Sequence, residues 1–69
     1  MIPNKQNLKK AGIIIYQLLS NMKKCSYKQL QLLSGLNDTS LCMGILYLLK
    51  SNKIIQYPQN DEIFYSLTN

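Results

Sequence analysis

Three closely spaced lysines, Lys23, Lys24 and Lys28, and two adjacent hydroxyls, Thr39 and Ser40, are the side chains best suited to do chemistry in this chain. An ammonium group neutralises phosphate and releases its counterions, and a hydroxyl hydrogen-bonds to phosphate oxygens or base edges. Together they point to a polyanionic partner. The whole-chain balance agrees: eight cations, all lysine, against three acids give a net charge of +5. A lysine-rich solvated surface would give the same balance, so charge alone does not decide.

What is missing argues against catalysis. The 69 residues contain no histidine for general base or metal work. Asp38, Asp61 and Glu62 are the only acids, and two of them are neighbours in a turn-rich stretch, not a pair facing across a cleft. Gly12, Gly35 and Gly44 are isolated, so no phosphate-cradling loop exists. Cys25 and Cys42 form no CxxC pair and have no basic partner that would mark a nucleophile. They are expected to be free thiols of a reducing cytoplasm. No enzyme activity, metal or cofactor is expected, and no pattern points to a small-molecule ligand.

The elements that must position these groups are legible from periodicity. Helix 1 is predicted from Asn4 to Met22, capped by Asn4 or Asn7, with Leu8, Ala11, Gly12, Ile15, Leu18, Leu19 and Met22 on one apolar stripe. Ala11 and Gly12 are small enough to admit a second helix closely. Ile13 and Tyr16 project away from the stripe, as surface residues or as a second interface. Asn21 to Cys25 form a connection, in which Cys25 is placed to add a short strand to the C-terminal sheet.

Ser26 and Gln29 spell a capping box that starts helix 2, an amphipathic segment with Leu30, Leu32 and Leu33. It ends at Ser34, with Gly35 suited to a left-handed cap and Leu36 anchoring the turn. Helix 3 begins at Asn37 or Asp38, turns Leu41, Gly44, Ile45 and Leu48 inward, and ends at Ser51 and Asn52. Lys53–Tyr57 and Glu62–Leu67 are strand-like, and Pro58, Gln59, Asn60 and Asp61 between them are turn formers. Ile63, Tyr65 and Leu67 share the face that closes over the helices, and Phe64 and Ser66 take the other.

All this fits a single domain over residues 1–69. A chain this short buries only about 60% of its unfolded surface, so a homodimer is expected. The apolar stretch Leu41–Leu49 is too short for a bilayer, which needs ~20 residues. The N-terminal MIPNKQNLKK lacks the apolar run of a signal peptide, so a cytoplasmic location is expected.

With Leu30, Gly35, Leu36, Leu41, Gly44, Ile45, Leu48, Asn52, Ile54, Tyr65, Leu67 and Thr68 in these positions, the chain resembles the winged helix-turn-helix superfamily. More narrowly, KKAGIIIYQLL with LCMGILYLLKSNKI looks like a small prokaryotic group of stand-alone winged helices. The resemblance implies an α+β, mostly α fold: three helices and a C-terminal two-stranded β-wing. It also implies a transcription regulator that lays helix 3 in the major groove of duplex DNA.

Thr39, Met43, Leu46 and Lys50 then face outward, flanked by Ser40, Cys42 and Tyr47. Thr39, Ser40, Met43 and Tyr47 are the candidate base readers, although no arginine is present to fork onto guanine. Lys23, Lys24, Lys28, Lys50 and Lys53 are the phosphate candidates, and Lys5, Lys9 and Lys10 could add to them. Gln59 and Asn60 are the wing-tip candidates, beside the repelling carboxylates of Asp61 and Glu62. The alternative is protein association. Cys42, Met43, Leu46, Tyr47 and Leu49 make the outer side of helix 3 unusually apolar, and Ile13, Tyr16, Cys42 and Leu46 are the interface candidates.

Overall fold

The N-terminal stripe folds as α1, Lys5–Met22. The computed structural model describes residues 5–68, and their side chains from Lys9 onward. The expected cap Asn4 lies outside the described residues; the alternative cap Asn7 falls inside α1 and so does not start it, and the side chains of Asn7 and Leu8 are not among those described. Ala11, Ile15 and Leu19 are fully buried and Leu18 half-buried. Met22 shares their azimuth but is 46% exposed, because it stands one turn beyond the core. At Lys23 the backbone turns left-handed (φ 71°) and the chain leaves the helix for β1, Lys24–Ser26.

Helix α2, Tyr27–Ser34, opens on the expected reciprocal cap. The Gln29 amide donates to Ser26 Oγ at 3.2 Å, and the Ser26 amide donates to Gln29 Oε1 at 2.9 Å. The helix closes at Gly35, whose φ of 71° only a residue without Cβ adopts freely. Of its leucines only Leu30 is buried, while Leu32 and Leu33 are 82% and 52% exposed. The amphipathic segment is thus narrower than expected. At 3.6 residues per turn Leu32 lies about 200° from Leu30, on the opposite side of the helix.

Helix α3, Asp38–Lys50, is capped by Asn37, whose Oδ1 accepts the Ser40 amide at 2.8 Å. Leu41, Gly44, Ile45 and Leu48 form its buried stripe, as the spacing predicts. The crossing with α1 is unusually close at Gly44. A Cβ there would sit 2.8 Å from Ile15 Cδ1 and 2.9 Å from Ala11 Cβ, so no larger residue fits without movement. No single described helix is long and apolar enough to cross a membrane, and α2 and α3 meet at a bend of 116°.

Strands β2 (Ile54–Gln59) and β3 (Glu62–Leu67) form an antiparallel hairpin, and β1 adds a third strand to give the order β1-β3-β2. Cys25 pairs with Tyr65, and Ile54 with Leu67. The expected turn was too long. Only Asn60 and Asp61 form it, both left-handed (φ 52° and 62°), the pattern of a two-residue type I′ turn. Pro58 and Gln59 belong to β2, where proline is tolerated because β2 is an edge strand. Tyr65 is buried and Leu67 half-buried, but Ile63 is 41% exposed: the hairpin carries it past the helices.

The core joins Ile15 and Leu19 of α1, Cys25 of β1, Leu30 of α2, Leu41, Ile45 and Leu48 of α3, Ile54 of β2 and Tyr65 of β3. Each fully buried aliphatic side chain contributes about 1.5–3 kcal/mol. Burial pushes the Cys25 thiol and the Tyr65 phenol up from their ordinary pKa values. The last carbonyls of α3 are closed off: Ser51, Asn52 and Lys53 donate to Tyr47, Leu49 and Leu48. Thr68 then ties the end of β3 back to this corner through Asn52 and Lys53.

Candidate nucleic-acid interface

With its inward stripe on α1 and the core, α3 leaves a narrow strip turned outward. Thr39, Leu46 and Lys50 are exposed there and Met43 is half-buried. Ser40 is also half-buried, and its amide is committed to the Asn37 cap. Leu49, expected on the outer side, is instead half-buried against the core.

Tyr47 is 38% exposed and also reaches α1. A Cβ on Gly12 would lie 3.1 Å from Tyr47 Cδ2, so the ring rests against α1. Tyr16 is half-buried against the core, whereas Ile13 is 57% exposed. Cys42 is exposed on the flank facing α2, and its Sγ lies 3.3 Å from the Tyr27 hydroxyl. That hydrogen bond, more than the partial burial, pushes the Tyr27 phenol up to about 12. Asp38 accepts from the Gln31 side chain, a second polar tie between α2 and α3.

Lys23, Lys24, Lys28, Lys50 and Lys53 are all exposed. They do not form one patch by sequence alone: Lys23 and Lys24 lead into the β1 edge, Lys28 lies in the first turn of α2, and Lys53 precedes the opposite edge strand. Lys24 and the wing candidate Gln59 are brought together. The Lys24 ammonium donates to Gln59 Oε1 at 3.2 Å and stands 5.4 Å from the centre of the Phe64 ring. Phe64 in turn stacks on Tyr57 across the hairpin at 6.2 Å. Gln59 is therefore engaged by a lysine, and Asn60 is half of the turn itself.

The Tyr57–Phe64 pair on the outer face of the sheet was not singled out from the sequence. The signal was available: the two residues stand opposite each other once the turn is placed at Asn60 and Asp61. The carboxylate of Asp38 at the exposed start of α3 was read only as a helix-end charge, which it is, yet it also lies beside the candidate reader Thr39.

Two helices meeting at 116° through a glycine turn, backed by a hairpin, define a winged helix-turn-helix. The chain belongs to the winged helix-turn-helix domain family DUF2582, whose pattern matches residues 5–67. No curated protein matches it.

Proposed function

We propose that this domain binds duplex DNA as a cytoplasmic transcription regulator. One observation carries the proposal: the outer strip of α3 is left uncovered by its own chain, and all five candidate phosphate lysines are exposed. Thr39 and Ser40 offer hydroxyls to base edges or phosphate, and Met43 offers an apolar contact to a thymine methyl. Without arginine the readout leans on groove shape and phosphate contacts more than on base hydrogen bonds. A homodimer would present two such helices to successive major grooves, about 34 Å apart.

A fluorescence titration with generic duplex DNA at rising salt tests this. Contact with about six phosphates gives a log–log slope near −5, and no affinity at ~50 mM salt ends the proposal. Replacing Lys23, Lys24 and Lys28 together by glutamine should abolish binding with the fold intact, since all three are exposed. Unchanged affinity would show the phosphate face to be elsewhere.

Association with another protein chain is the second reading, favoured by Leu46 at 54% exposure on the same strip. Leu46→Glu then gives a folded protein of lower solution mass. A solution mass unchanged by that substitution removes the support.

A further inference from the structure

One concave feature lies beside the proposed DNA face and shares Lys53 with it. It is an open groove of about 430 Å³ between α1 and the C-terminal half of α3. Gly12, Ile13 and Tyr16 form one wall and Tyr47 and Leu48 the other. The absence of a side chain at Gly12 lets the Tyr47 ring lie down against α1, which shapes the floor. The volume falls within the range of roughly 300–1,000 Å³ typical of small-molecule sites, which are mostly apolar with a few polar groups that orient the ligand.

Those polar groups set the ligand's charge. Lys9 and Lys53 line the groove, and the neutral Gln17 and Ser51 complete it. Among the described residues no acidic side chain lines it: Asp38 starts the other end of α3, and Asp61 and Glu62 lie at the hairpin turn. The C-terminus of a helix would ordinarily oppose an anion. Here the carbonyls of Tyr47, Leu48 and Leu49 already accept backbone amides, which leaves the lysine ammonium groups to dominate.

We propose that the α1–α3 groove binds an amphiphilic monocarboxylate, its acyl or aryl tail between Ile13, Tyr16 and Tyr47 and its carboxylate between Lys9 and Lys53. A chain with a cationic head would meet two like charges, and a short anion would leave the apolar walls wet. Tyr47 belongs to α3, so a ligand seated here touches the helix that carries the outer strip. Lys53 is shared with the proposed DNA face, and probes titrated without DNA test the groove by itself.

The test is a titration of the full chain, followed by amide chemical shifts, with four probes: decanoate, decanol, decylamine and acetate. Decanoate should bind saturably, tighter than decanol, with decylamine and acetate weakest, and the shifts should centre on Gly12, Ile13 and Tyr47. The double substitution Lys9→Gln with Lys53→Gln should weaken decanoate by about tenfold or more, the size of one lost charge-assisted hydrogen bond, and leave decanol unchanged. Ile13→Glu sets a carboxylate in the groove at an exposed position, so the fold survives while decanoate binding is lost.

The proposal is overturned if decanoate and decylamine bind alike, or if the lysine substitutions change nothing. It is equally overturned if shifts centre on Leu32 and Leu33, if no probe binds, or if the groove is closed by a second copy. That last outcome would appear as a solution dimer that Ile13→Glu splits.

Discussion

The two sides of α3 obey different physics. The side toward α1 is so close that Gly44 has room for no Cβ, and Leu41 and Leu48 beside it are buried. The outward side carries Thr39, Leu46 and Lys50 in solvent, touching little. One helix thus holds both tightly constrained and solvent-facing positions. Sequence change should be tolerated outside and punished inside, and the outer residues are free to be chosen for a partner.

Breaking the dense side should have the largest effect. Leu41→Ala removes a fully buried side chain and should cost about 2–5 kcal/mol, enough to leave a domain of this size largely unfolded. Leu46→Ala, one turn further on the outer strip, should stay within about 0.5 kcal/mol. Denaturant unfolding followed by circular dichroism reads both. Equal losses would mean that Leu46 is core and that the outer strip does not exist.

The seam itself is sharpened by its two glycines. At Gly44 a methyl group meets Ala11 Cβ at 2.9 Å and the Ala11 carbonyl carbon at 3.2 Å, and that backbone cannot yield. Gly44→Ala should lose about 1–2 kcal/mol even after a gain of ~1 kcal/mol in helix propensity. At Gly12 a methyl group meets the edge of the Tyr47 ring at 3.1 Å, and a half-free ring can move. Gly12→Ala should therefore be neutral or gain up to about 0.5 kcal/mol, since propensity then outweighs the contact. A destabilisation of Gly12→Ala as large as that of Gly44→Ala would show the Tyr47 ring to be locked.

The same contrast explains what the sequence revealed. The capping box at Ser26 and Gln29, the left-handed Gly35 and the stripe Leu41, Gly44, Ile45 and Leu48 follow local rules, and each stands where those rules put it. The three helices and the hairpin, and hence the winged-helix class, were legible for that reason. Pro58 misled because turn composition was read without knowing that β2 is an edge strand, where proline is harmless. Leu49 misled because a wheel gives azimuth but not the path of the neighbouring elements, and the core claims it. The partnership of Lys24 with Gln59 and Phe64 joins residues far apart in the chain, so no local rule could place it. The α1–α3 groove escaped for the same reason, since its walls come from two helices separated in the chain by α2 and β1.

The smallest expected effect concerns the flank where α3 meets α2. There the Tyr27 hydroxyl and the Cys42 thiol share a hydrogen bond, and the phenol rises from its ordinary 10.0 to about 12. A group whose pKa is raised by folding adds stability while it stays protonated. The contribution is complete below pH 10 and fades as pH climbs through about 12. Cys42→Ala removes the hydrogen-bond partner and should return Tyr27 toward the ordinary tyrosine range, leaving neutral-pH stability within about 0.5 kcal/mol. Ultraviolet titration of tyrosinate checks it, with Tyr27→Phe identifying which of the five tyrosines moves. If the late-titrating tyrosine persists in Cys42→Ala, the thiol is not its cause and the α2–α3 flank is held by Gln31 and Asp38 without it.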